Sequence, residues 1–230
     1  MIQAVQLIIT CDPALIQIVV VSLRVTGTAL LFSTLVGIPL GSWLGLTRFL
    51  GRRLVIALLY TGMGFPPVVV GLFVYLMLSR SGPLGSLEFS LIPRLFTVNA
   101  MVVAQVIISF PLVAGFTMAA VMGVDPNLRQ QVLSLGATNW QATLAVLMEA
   151  RLGVIVSIIA GFGSIISEVG AVMMVGGNLL GHTRVLTTSI VLETSKGEFA
   201  PAIALSVILL LLAFAVNLVL TWIQQRSAEH

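Results

Sequence analysis

Charge is scarce in this chain. Of its 230 residues only 8% are charged and 58% are hydrophobic, where soluble domains carry about a quarter charged residues. Mean hydropathy is +1.13. That balance excludes an ordinary soluble domain and makes the chain an all-α integral membrane protein. Cys11 is the single cysteine, which excludes an internal disulfide and a thiolate metal cluster. Lys196 is the single lysine and follows Ser195, so no G-x-x-x-x-G-K-[ST] phosphate loop exists in the chain. Any ATP used must be hydrolysed by a partner. His182 has no second ligand near it, which favours a surface or capping role over a metal. No nucleophile and base stand together, so an enzyme reading has little to start from and no cofactor is expected. The net charge of +3 arises from few charges, and reads as positive loop ends rather than nucleic-acid binding.

What is abundant is apolar sequence in long runs. A helix needs about 20 apolar residues to cross a bilayer, and five blocks reach that length, near 14–46, 54–78, 97–122, 152–177 and 199–223. They are read as one transmembrane domain over 1–230, with the first block kept as an uncleaved signal anchor because no basic n-region or cleavage site accompanies it. An odd number of spans puts the termini on opposite sides. Arg48, Arg52, Arg53, Arg129, Arg151 and Arg226 fall in one set of connections, and Arg80, Arg94, Arg184 and Lys196 in the other. The positive-inside rule makes the first set cytoplasmic, with the N-terminus outside and the C-terminus cytoplasmic.

Polar residues are concentrated in the interruption at 123–151. Asp125 and Pro126 read as a helix start. Leu128, Val132 and Leu135 make an apolar stripe at helical spacing, with Arg129, Gln130, Gln131 and Ser134 facing elsewhere. Gly136 is placed to end that helix with a positive φ, and Thr138 with Gln141 is a capping box that starts another. The unit reads as helix, bend, helix. It is either a helix lying on the bilayer or a docking element, and the lack of basic residues beyond Arg129 favours docking.

Inside the blocks, Gly37, Gly41 and Gly45 form a small-residue ridge suited to close helix packing. Gly153, Ser157 and Gly161 form a second such row in block four, and Gly163, Ser167 and Ala171 a third. Gly62, Gly64, Pro66 and Pro67 predict a kink or break in block two. Asn99, Gln105, Ser109 and Pro111 make a polar thread facing either a pore or a neighbouring helix. Arg24 is set to snorkel to the interface or to point inward. Glu168, deep in block four, needs a partner: either Arg24, or the backbone amides of a local helix break. The segment after block four, with Asn178 and Thr183, reads as an outer loop containing a short helix over Val185–Leu192.

The loop spacing resembles the coupling loop of ABC importer permeases: Gln130, Gln131 and Val132 stand where that family has Glu-Ala-Ala, Gly136 matches its glycine, and Val146 and Met148 match its aliphatics, while Glu149 replaces its proline. "ISEVGAVMMVGGN" at 166–178, "TRVLTTSIVLETSKGEF" at 183–199 and "GFPPVVVGLFVYLMLSRSGPLG" in block two resemble permeases of tungstate importers, relatives of the molybdate and sulfate permeases. The resemblance implies the type I importer fold and a homodimer in a prokaryotic inner membrane. It also implies two ATP-binding subunits below and an oxyanion-binding protein above. It makes Leu128, Gln130, Gln131, Leu135, Gly136, Ala137 and Trp140 contacts for the ATPase. Arg24, Pro66, Pro67, Ser109, Glu168, Asn178 and Thr183 become candidates for the pathway or gate. A secondary transporter or a membrane scaffold are the competing classes. The absence of two comparable halves and of a proton-relay set speaks against the former.

Overall fold

The computed structural model describes residues 13–87, 89 and 92–228, and every regular element among them is helical. Cys11 and Glu88 lie outside the described residues. Helix α1 spans Pro13–Leu46, α2 Arg52–Met63, α3 Pro67–Leu78, α4 Val98–Met122, α5 Pro126–Ser134, α6 Asn139–Glu149, α7 Arg151–Ile166, α8 Gly170–Gly176, α9 Leu186–Ser195 and α10 Phe199–Ala228.

Three helices, α1, α4 and α10, are individually long and apolar enough to cross a membrane, and the number rises to as many as five if each of two bent pairs is one span. At 1.5 Å per residue, α1 is about 51 Å long, well beyond a hydrocarbon layer of about 30 Å. Helix α4 is the centre of the chain. Thr97 caps its start by accepting from the Ala100 N–H, and its buried residues run from Ala100 to Val121.

The glycine ridge of α1 meets α4. A Cβ on Gly37 would stand 2.9 Å from Val113 Cγ1, one on Gly45 2.9 Å from Val121 Cγ1, and one on Gly41 would collide with the Ala114 carbonyl oxygen. Only hydrogen fits at these points, so the two backbones approach as small-residue ridges permit. Ser33 and Ser109 join the same pair of helices by a hydroxyl–hydroxyl bond of 2.6 Å. Helix α7 also packs on α4: Gly153 lies against Ala120 and Gly161 against Val113, with Ser157 and Thr117 hydrogen-bonded at 3.0 Å between them. That row of α7 therefore packs within the chain. The row Gly163, Ser167, Ala171 does not behave as one packed face: Gly163 and Ser167 are exposed and only Ala171 is buried.

The expected kink in block two is a break, with α2 and α3 bent by 102°. Pro66 and Pro67 bring no N–H, so the carbonyls at the end of α2 lose their helical partners. Pro66 instead takes an extended conformation and Pro67 occupies the first turn of α3. Block four is corrected in the same sense. It is not one helix over 152–177, since α7 stops at Ile166 and α8 begins at Gly170. The short helix expected at Val185–Leu192 is α9, Leu186–Ser195, and its Leu186, Thr187, Thr188 and Ser189 are buried.

Candidate functional site

The elbow between α4 and α7 is built by local chemistry. Asp125 accepts from the Asn127 N–H at 2.9 Å and Pro126 fills the first turn of α5. Gly136 ends it at φ +88°, a left-handed conformation that costs a side-chain-bearing residue about 1–2 kcal/mol. Thr138 and Gln141 then form a reciprocal capping box at the start of α6. Arg129 of α5 donates to Asn139 Oδ1 of α6 at 3.1 Å, tying the arms together.

The stripe expected on α5 divides. Leu128 is partly buried against Val121, Val146 and Ala150, and Val132 is also half-buried. Leu135 falls just beyond the last turn and is 88% exposed. Trp140, on α6, is 68% exposed. Gln130, Gln131 and Gly136 are exposed and Ala137 is half-buried. Of the seven residues expected to meet an ATPase, Leu128 is therefore committed to its own chain, and the rest surround the bend. A groove of about 550 Å³ lies between the end of α4, α5 and the α6–α7 junction, lined in part by Gly123, Asp125, Leu128, Gln131 and Glu149.

The residues expected along the pathway do not converge on one chamber. Arg24 is exposed on α1, as is Pro66 at the α2–α3 break, while Pro67 is half-buried. Ser109 is fully buried and its hydroxyl is engaged by Ser33 and the Gln105 carbonyl. Glu168 is 8% exposed and stands at the α7–α8 break, where its Oε1 accepts the Ala171 N–H at 2.8 Å. This is the capping alternative. The Arg24 alternative is not seen: among the described residues the one ion pair is Lys196–Glu193.

Two bonds tie the break to its neighbours, and a third joins α9 to α1 beside it. Thr187 Oγ1 donates to the Glu168 carbonyl at 2.8 Å, Gln105 Nε2 donates to the Ile165 carbonyl at 3.2 Å, and Leu186 N–H donates to Ser22 Oγ at 2.8 Å. These bonds give carbonyls and amides at the helix ends the partners that regular helix would have supplied. Thr187 was missed by sequence reasoning, because a threonine in a short apolar helix carries no signal of which carbonyl it will meet. Asn178 and Thr183 share the loop after α8. Asn178 sits at φ +51°, Thr183 Oγ1 donates to the Gly176 carbonyl at 2.6 Å, and Arg184 donates to the Asn178 carbonyl at 3.4 Å. His182 is exposed. Among the described residues no His, Cys, Asp or Glu cluster could hold a metal ion.

Comparison with known proteins supplies the frame for this geometry. A model of the family described as binding-protein-dependent transport system inner membrane component matches residues 37–229. The chain is 42% identical to a probable anion ABC transporter permease protein of Haloferax volcanii over 88% of either chain. It is 38% identical to the tungstate uptake system permease protein TupB of Peptoclostridium acidaminophilum, covering 96% of this chain and 95% of that one. Identity to the molybdenum transport system permease protein ModB of Escherichia coli is 31%, covering 93% of this chain and 95% of that one. Its fold is similar to that of a bacterial alginate ABC transporter, with a TM-score of 0.73, 22% identity and coverage of 92% and 78% of the two chains. It is also similar to the MetNI methionine ABC transporter, with a TM-score of 0.69, 16% identity and coverage of 93% and 95%. A broken, apolar, all-helical bundle with an exposed polar elbow, matched over most of its length by such sequences, places this chain in the family of inner membrane components of binding-protein-dependent transport systems: it is a permease subunit of an ABC importer.

Proposed function

We propose that this subunit forms the translocation pathway of an ATP-driven oxyanion importer, with tungstate as the cargo, and that its elbow at 126–142 is where a separate ATPase subunit pushes. The observation that carries the coupling role is the exposure of Leu135 and Trp140 on either side of Gly136. Two large apolar side chains stand in the open beside a bend held rigid by its own caps, on the polar elbow of an otherwise lipid-soluble chain. Tryptophan is among the residues most often found as the anchor of a protein–protein contact, and Leu135 extends the apolar surface beside it. Gln130, Gln131 and Ala137 complete the surface. In this reading ATP binding closes the ATPase pair, displaces α5, and through Leu128 moves α4 and α7 between inward-open and outward-open states.

Tungstate is supported by 38% identity over 96% of the chain to a tungstate uptake permease. Molybdate is the second reading, supported by the relative at 31% identity over 93% of the chain. The working unit is a homodimer with two ATPase subunits and an extracytoplasmic binding protein. The unfilled side of α7 at Gly163 and Ser167 is suited to a second copy or to the pathway between copies. The N-terminus lies outside and the elbow in the cytoplasm, on the strength of the arginine distribution. Pro66, Pro67, Asn178, Thr183 and Glu168 shape the gate through backbone irregularity rather than by presenting charge to the cargo, because tight binding in a pathway would slow release.

The test is uptake of labelled tungstate, molybdate and sulfate by proteoliposomes holding the full complex. Uptake should require ATP and stop with vanadate. Cargo movement without an ATPase subunit would overturn the proposal, and a preference for molybdate would select the second reading.

A further inference from the structure

A small pocket lies where α7 breaks from α8. Its walls include Ser22 and Thr26 of α1, Gln105 of α4, Glu168 of the break, and Thr187 of α9, with Ile165, Ile166, Val185, Leu186 and Leu209 filling the remainder. Its free volume is about 10 Å³, close to the least that admits one water molecule. Gln105 is 3% exposed. Its amide orientation is set by the Ile165 carbonyl, which can accept from Nε2 but would repel Oε1. That leaves Oε1 as the atom turned away from Ile165, and it has no hydrogen-bond partner although it is buried. The Glu168 carboxylate, on the same cavity, uses one oxygen on the Ala171 N–H, and a carboxylate has several further lone-pair sites to fill.

One orphaned buried acceptor, Gln105 Oε1, therefore borders a polar hole beside a carboxylate with lone pairs to spare. An orphaned buried acceptor costs about 1–3 kcal/mol, so an occupant with hydrogens to give is favoured. We propose that the cavity is the binding site of a single structural water, which donates one hydrogen to Gln105 Oε1 and the other to Glu168, and accepts from the Thr26 hydroxyl. Three partners is the usual number for a buried water. A bare cation suits the hole less well, because half the wall is aliphatic and a desolvated charge needs oxygens on all sides. The water adds a second link between α4 and the α7–α8 break, beside the direct Gln105–Ile165 hydrogen bond.

The test is a cryo-EM map of the full transporter in lipid nanodiscs, at a resolution that shows ordered waters elsewhere in the protein core. The expected result is one rounded density within hydrogen-bond distance of Gln105 and Glu168, present equally in sodium and in choline buffer. Gln105→Met, similar in size but without the acceptor, should lose that density. An empty wild-type cavity, a direct Glu168–Gln105 hydrogen bond, a density present only with sodium, or a density that survives Gln105→Met would each overturn the proposal.

Discussion

Gly71 of α3 lies so close to Ala171 of α8 that a Cβ on Gly71 would stand 2.5 Å from the Ala171 Cα. Each residue belongs to the second half of a broken segment, one following Pro66 and Pro67, the other following Glu168. The two interruptions are thus one structural event: the chain breaks twice so that two short helices can cross at a point with no room for a side chain. Gly71→Ala should cost about 1–3 kcal/mol by overpacking, lowering both Tm and uptake. Gly27→Ala, inside α1 where a Cβ meets nothing within 4 Å, should hold Tm or raise it slightly, since Gly within a helix is about 0.5–1 kcal/mol less favourable than Ala. Equal Tm values for the two variants would refute the crossing as a packing constraint.

At Gly136 the constraint is conformational, because nothing lies within 4 Å of an added Cβ but φ is +88°. Gly136→Val should penalise the native bend by about 1–2 kcal/mol, or roughly tenfold in its population, while membrane insertion stays normal. Gly136→Asn, which tolerates positive φ, should be milder. The assay is ATP-driven uptake at matched expression, and wild-type uptake by Gly136→Val would count against a coupling role for the bend.

Leu135 and Leu128 should separate under mutation. Leu135→Asp and Trp140→Ala alter exposed side chains, so chain stability should change by no more than about 0.5 kcal/mol. Retention of the ATPase subunit on an affinity column should nevertheless fall sharply, by about 30-fold or more in affinity for a truncated tryptophan anchor. Leu128→Ala should instead lower Tm, since Leu128 packs on Val121, Val146 and Ala150. A Leu135→Asp variant that still co-purifies with ATPase in full yield would remove the docking surface proposed for it.

Glu168 and Arg24 should behave independently. Glu168→Ala deletes the acceptor for the Ala171 N–H and should cost about 1–3 kcal/mol, whereas Glu168→Gln keeps a carbonyl acceptor and most of the stability. Arg24→Gln should leave Tm at the wild-type value. A loss on Arg24→Gln equal to that on Glu168→Ala would restore the ion pair.

What could be read beforehand was whatever depends on nearest neighbours along the chain. Asp125–Pro126, Gly136 and the Thr138–Gln141 box state their conformations within four residues, and each is found as read. The ridge Gly37, Gly41, Gly45 announced a close neighbour because its spacing leaves few other uses, although not that the neighbour would be α4. What could not be read was partner choice across the bundle. Ser109 and Gln105 were equally suited to a pore or a helix contact until Ser33 and Ile165 were seen opposite them. Leu135 has the spacing of the buried stripe, yet helix α5 ends one residue short of it, and periodicity does not reveal where a helix stops. Hydropathy likewise counted residues 152–177 as one crossing, because a carboxylate that caps a break and one that seeks a cation look alike in composition.

The closed caps on both arms of the elbow bear on how quickly a motor could act through it. Thr138, Gln141, Asp125 and the Arg129–Asn139 tie form the bend within the chain itself, so in the proposed coupling role a partner subunit would meet a bend already formed. In that role a stroke would be carried by a preformed lever, with little of it spent on shaping the joint.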